Sequence, residues 1–260
     1  MYELKLLKKI ISYLLTTHFF IAGIAVALAI ETSLVLNQPF HPLSLYLLLF
    51  FATHFAYNVY YIKTVRAWHY GIHAFISLIA CAVWLFYIPA SAYPTLLLIA
   101  LTSGMYILPI FMRFNQSKYF TVFKLILLIV TWVLSTWFLV ASPFQFHIKD
   151  LVLLCYRTVF ISISCLLFFI RDEKKESLKK MVILVNKYLI ALLFLLSLII
   201  LFKVSIPIGF VYFTTSIGCY YLAFMWTKQV RTNLLYLAFV DGILFFQASI
   251  LIILYYFNAL

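Results

Sequence analysis

Ionisable side chains set in the middle of long apolar runs are the first candidates for chemistry in this chain. Glu31, Lys124, Arg157, Lys187 and Asp241 are placed so, with His18 and His54 beside them. A charge at membrane depth is costly and persists where it faces a bundle interior, a partner group or a polar cavity. Lys187 and Lys124 lie near the ends of their runs, where a lysine stem can carry its ammonium back to the interface. His54, Tyr57, Asn58 and Tyr61 recur at i, i+3, i+4 and i+7, one stripe of a helix leading toward Lys63 and Arg66. Arg157, Ser164 and Arg171 follow a spacing of seven and form a second stripe. Two stripes ending at one face predict a polar cavity with a basic mouth; the alternative is a set of interhelical hydrogen bonds that hold a bundle together. His69 and His73 are four apart, with no third ligand nearby in the sequence, which favours an interfacial structural role over a metal. Cys81, Cys155, Cys165 and Cys219 all fall in apolar runs with no CxxC pair, which makes them packing residues.

The elements that must position these groups follow from composition. Of the 260 residues 67% are hydrophobic and 10% charged. A soluble domain averages about 25% charged residues, so the solvent of this chain is expected to be lipid. A bilayer core takes about 20 apolar residues per helix. On that measure spans are predicted near 10–35, 44–63, 69–88, 94–112, 119–142, 150–170, 181–202, 206–225 and 233–257, in a single membrane domain covering 1–260. The breaks carry turn chemistry: Asn37-Gln38-Pro39, Pro89 to Pro94, Asn115-Gln116-Ser117, Ser142-Pro143 and Ile206-Pro207. Pro109 is expected to kink the fourth span. The run from Ile10 is too long for a signal-peptide core and reads as an uncleaved first span. Scattered Trp68, Trp84, Tyr87 and Trp226 read as an interfacial aromatic belt.

The basic residues test the count. With nine spans, fourteen of the nineteen lysines and arginines fall on one side, from Lys5, Lys8 and Lys9 through to Lys228 and Arg231, while Lys149 and Lys203 fall on the other. Cytoplasmic loops are enriched in such residues. The expected topology is a multi-pass protein of the bacterial inner membrane, N-terminus cytoplasmic and C-terminus opposite. The net charge of +12 is then a product of membrane orientation and an anionic inner leaflet, with no nucleic acid required.

Four segments, in this order, resemble the UbiA superfamily of intramembrane prenyltransferases over most of the chain. ATHFAYNVYYIKTVR resembles the first motif region, anchored by Asn58; FKLILLIVTW is similar to the lysine-bearing opening of the fifth helix, with Lys124 matching. YRTVFISISCLLFFIRDEKKE looks like the approach to the second motif, with Arg171 and Asp172 matching, and YLAFVDGILFFQASILI resembles the ending of a subset, including Asp241-Gly242. The resemblance implies an all-α bundle of nine helices around a central cavity. It also implies an isoprenoid diphosphate held through Mg2+ by aspartates of two loops. Here the first loop has no carboxylate: Val59 or Ile62 and Arg66 stand at the expected aspartate positions. In the second, Phe169 replaces the leading aspartate while Asp172 and Glu176 remain. Magnesium requires several oxygens in near-octahedral array, and Arg66 could instead grip phosphate directly.

Three functions are expected to compete. The first is a divergent prenyltransferase, with Asp172 and Glu176 as catalytic and Mg2+-binding residues and Asn58, Arg66, Lys124, Arg157, Arg171, His54 and Tyr61 holding the donor. An aromatic or lipid acceptor would take the prenyl group. The second is a non-catalytic relative that binds a lipid or quinone or serves as a subunit of a membrane complex. The third is a secondary transporter using Glu31, Asp241 and Arg157 as an ion path, against which stand only six glycines and no clear repeat.

Overall fold

The computed structural model describes residues 13, 16–65, 68–112, 118–141, 147–172, 176–226 and 233–257. Nine α-helices occur among them: α1 (Phe19–Val35), α2 (Leu43–Val65), α3 (Trp68–Leu85), α4 (Tyr93–Met112), α5 (Lys118–Val133), α6 (Ile148–Asp172), α7 (Glu176–Lys203), α8 (Ile206–Trp226) and α9 (Asn233–Tyr256). There is no strand among the described residues. Six apolar stretches in α2, α3, α4, α6, α7 and α8 are long enough to cross a membrane, while those in α1, α5 and α9 are shorter.

Length follows sequence closely at most boundaries. Pro94 sits in the first turn of α4, where its missing N–H costs nothing. The helix continues through Pro109 to Met112. The first boundary differs from the expected span at 10–35. Tyr13 and Thr16 are helical, but the chain breaks at Thr17-His18 and α1 starts at Phe19. His18 adopts φ 64°, the left-handed region that non-glycine residues rarely enter. Thr16 and Thr17 donate their hydroxyls to the Tyr13 carbonyl at 3.2 and 2.6 Å. These bonds compete with continuation of the helix and close its last turn.

The helices form a closed circuit. α1 packs on α2 and α9; α2 on α4; and the series α4, α5, α6, α7, α8, α9 follows by neighbouring contacts, with α3 laid against α2. Ser33 meets Tyr46 at 3.2 Å near one end of the α1–α2 pair, and Asn58 reaches the Thr17 carbonyl at 3.4 Å near the other. The two therefore run antiparallel. α1 and α6 are the inner elements. Ala22, Ile24, Ala25, Leu28 and Ala29 of α1 are wholly buried, and small residues let neighbouring backbones approach. α3 is the opposite case: Trp68, Ile72, Phe75, Ile76, Ile79 and Val83 are exposed. A face of this kind is stable against lipid tails and not against water.

α5 ends in a π turn, Leu134–Phe138, in which the Leu139 N–H reaches back to the Leu134 carbonyl at 2.9 Å. The wide turn frees a carbonyl for another helix. Thr32 of α1 donates to the Thr136 carbonyl at 2.7 Å.

A candidate ligand cavity and a buried ion pair

The bundle interior holds a cavity of about 190 Å³ between α1, α2, α4, α5, α6 and α9. Its walls combine aromatic side chains, Phe20, Tyr57, Tyr60, Tyr61, Tyr106, Trp132 and Phe168, with aliphatic ones such as Ile21, Leu49, Ile99 and Leu128. Polar groups are few and placed among them: His18, Thr53, Ser103, Thr131, Ser135 and Asp241. Few, fixed polar groups within apolar walls are the usual makeup of a small-molecule site. Local geometry fixes the aromatics. The Trp132 indole N–H donates to the Tyr57 hydroxyl at 3.3 Å, joining α5 to α2. Tyr60 and Tyr106 stack with centroids 5.8 Å apart, joining α2 to α4. Lys124 holds its ammonium 5.8 Å from the Tyr106 ring centroid, a cation–π contact at the cavity wall.

The α2 stripe divides. Tyr57 and Tyr61 face the cavity, whereas His54 and Asn58 turn to the junction of α1 and α3. Ser77 donates to the His73 carbonyl at 2.8 Å, so its oxygen is left to accept from His54 Nδ1 at 2.6 Å. That fixes the His54 tautomer and leaves Nε2 unprotonated, buried and without a hydrogen-bond partner. The Asn58 amide donates to the His54 carbonyl at 2.7 Å and to the Thr17 carbonyl at 3.4 Å. Asn58 thus ties α2 to the break ahead of α1, work of a structural kind. His73 stands edge-on to Phe19 and His54, with centroids 5.7 and 5.6 Å away.

The α6 stripe leads elsewhere. Arg157 is 1% exposed and pairs with Glu31, 0% exposed, at 2.9 Å. Glu31 Oε1 also accepts from the Tyr212 hydroxyl at 2.8 Å and from Gln247 Nε2 at 2.9 Å. Gln247 Oε1 in turn accepts from Thr215 at 3.1 Å and from Tyr156 at 3.2 Å. The Tyr156 and Tyr212 rings stack at 4.1 Å. This network joins α1, α6, α8 and α9. Arg157 is not among the residues that line the cavity; the basic mouth at which the two stripes are expected to end, with Lys63, Arg66 and Arg171, lies outside the described side chains. The spacing fixes a helix face but not which neighbour that face meets, and Glu31 supplies the counter-charge.

Among the described residues no three His, Cys, Asp or Glu side chains gather as a metal site. The cavity lining offers a single carboxylate, Asp241, and this does not match the oxygen-rich shell of Mg2+. Asp172 closes α6 and Glu176 opens α7. Their side chains, with those of Lys63 and Arg171 and the whole of Arg66, lie outside the described residues, as do Lys5, Lys8, Lys9, Lys228 and Arg231. The sequence reading missed Tyr60, Tyr106, Trp132 and Phe168, because an aromatic in an apolar helix carries no periodic signal of its own. Tyr156 and Tyr212 were missed for the same reason, and Gln247 because it carries no charge to mark it among the apolar residues of α9. No family model matches the chain, and no curated protein or solved structure matches it either.

Proposed function

We propose that this protein is a nine-span membrane protein of UbiA-like architecture, N-terminus inside, that binds an isoprenoid lipid or quinone within its bundle. One observation carries the reading: an aromatic-walled cavity with a few polar groups, enclosed by apolar helices. Flat rings and aliphatic walls favour a prenyl chain or ring through dispersion and area burial. The aliphatic and aromatic side chains of the described lining support burial of an apolar chain. The test is native mass spectrometry of the purified protein with a short-chain prenyl quinone and with farnesyl and geranylgeranyl diphosphate, each with and without Mg2+. Retention of a prenylated ligand is expected, and it should be lost in Ala56→Trp, which fills the cavity. Equal retention by Ala56→Trp would sink the reading.

Prenyl transfer is the second reading, favoured by Lys124 at the cavity wall beside Tyr106. It requires Mg2+-dependent product with an aromatic acceptor, abolished by Asp172→Ala.

A further inference from the structure

At the end of the bundle far from Thr17 and Asn58, the closing turns of α1 and α9 and the opening turn of α2 surround a groove of about 280 Å³. It shares no lining residue with the aromatic cavity. Its two parts differ in kind. Ile30 and Ile252 lie a turn inside the ends of α1 and α9, with Leu34 above Ile30, and give the groove an aliphatic floor. Toward the loop between α1 and α2 it is rimmed by the rings of Phe40, Tyr255 and Tyr256. Phe40 stands edge-on to Tyr255 and Tyr255 edge-on to Tyr256, each with centroids 6.1 Å apart. Phe40 and Tyr256 are exposed, so the groove is open to what surrounds the helices. An aliphatic floor under an aromatic rim at the end of membrane helices matches the level where acyl chains give way to head groups.

One polar nitrogen completes the rim. His41 lines the groove from that loop, and its Nε2–H donates to the Val140 carbonyl at 2.8 Å, since a carbonyl can only accept. The neutral ring then keeps Nδ1 as an acceptor on its other side. Among the described residues nothing donates to Nδ1, and it is not one of the unpaired atoms sealed inside the bundle. The described lining holds no charged side chain of either sign. Aromatic faces attract an organic ammonium. A lone acceptor beside them adds a demand for an N–H, which a primary ammonium supplies and a quaternary one lacks. We propose that this groove binds a membrane aminophospholipid, its primary ammonium donating to His41 Nδ1 among the rings and an acyl chain lying along Leu34, Ile30 and Ile252.

The experiment titrates the intact protein in detergent with dioleoyl lipids that differ only in the head, and reads retention by native mass spectrometry. The heads are phosphatidylethanolamine, its N-monomethyl and N,N-dimethyl forms, phosphatidylcholine and phosphatidylglycerol. Phosphatidylethanolamine is expected to bind about tenfold more tightly than phosphatidylcholine, the scale of one hydrogen bond, with the break at loss of the last N–H. His41→Phe keeps a ring at the rim and is expected to abolish that difference. If it does not fold, Tyr256→Leu, which leaves the bond from His41 to Val140 in place, is used instead. Affinity for phosphatidylethanolamine should then fall about threefold. Equal binding of phosphatidylethanolamine and phosphatidylcholine by the wild type overturns the inference, as does tightest binding of phosphatidylglycerol. A preference that survives His41→Phe, or an affinity unchanged in Tyr256→Leu, overturns it as well. Ala56→Trp, which fills the separate cavity, should bind these lipids as the wild type does. Loss of binding there would mean that the lipid sits in the cavity and would sink the groove assignment alone.

Discussion

The two polar regions of the bundle are built on opposite plans. Around Glu31 and Arg157, side chains from four helices gather on one oxygen, Glu31 Oε1, while Glu31 Oε2 and Arg157 Nη1 have no hydrogen-bond partner. Around the cavity, bonds run in single links, such as Trp132 to Tyr57, and His18 Nε2 has no hydrogen-bond partner. The difference is one of connectivity: four helices meet at the first site, while the links at the cavity join helices two at a time.

This contrast can be broken from the network side first. Arg157→Leu would strand the Glu31 carboxylate in an apolar interior, and the expected loss is about 3–5 kcal/mol, read by denaturant unfolding in mixed micelles. Glu31→Leu combined with Arg157→Leu should be less damaging than Arg157→Leu alone, because no unpaired charge remains. A double variant as unstable as the single would mean that the pair itself holds the bundle. Gln247→Leu removes the link between the Glu31 and Tyr156 halves; a smaller loss of about 1–3 kcal/mol is expected by the same unfolding measurement. On the cavity side, Tyr57→Phe takes away the hydroxyl that accepts from the Trp132 indole and should cost about 1 kcal/mol in melting experiments. If Tyr57→Phe proved as costly as Gln247→Leu, the distinction between the two regions would not hold.

Most of the helix boundaries were legible because apolar runs and turn residues both mark them. α8 begins at Ile206, one residue before Pro207, and α9 runs Asn233–Tyr256, close to the expected spans. The break at Thr17-His18 was not legible. It contains neither glycine nor proline, and it depends on hydroxyl bonds back to Tyr13 that composition does not signal. The candidate site was legible only in part. Helical spacing put His54, Asn58 and Tyr61 on one stripe, yet α1 and α3 took the first two while the cavity took the third. Arg157 was visible as a buried charge, but its partner comes from α1 and is set by packing of distant helices. Gly209 shows the same limit: a Cβ there would lie 2.2 Å from the Leu201 backbone, a close approach of α7 and α8 that the sequence gives no sign of.

The π turn at the end of α5 carries a consequence for how that helix is read as a ruler. In an ordinary α-helix of 3.6 residues per turn, Trp132 and Trp137 would point about 140° apart. Both are buried, one lining the cavity and the other packed in the core beside α1's neighbours. One surplus residue in the last turn sets its angular phase apart from that of the helix before it, and beyond Phe138 the chain leaves through turn residues. Removing a single residue from 134–138 would restore a uniform helix and swing Trp137 to a new compass bearing. The turn thus lets Trp132 stay at the cavity while Trp137 is fitted separately to the core.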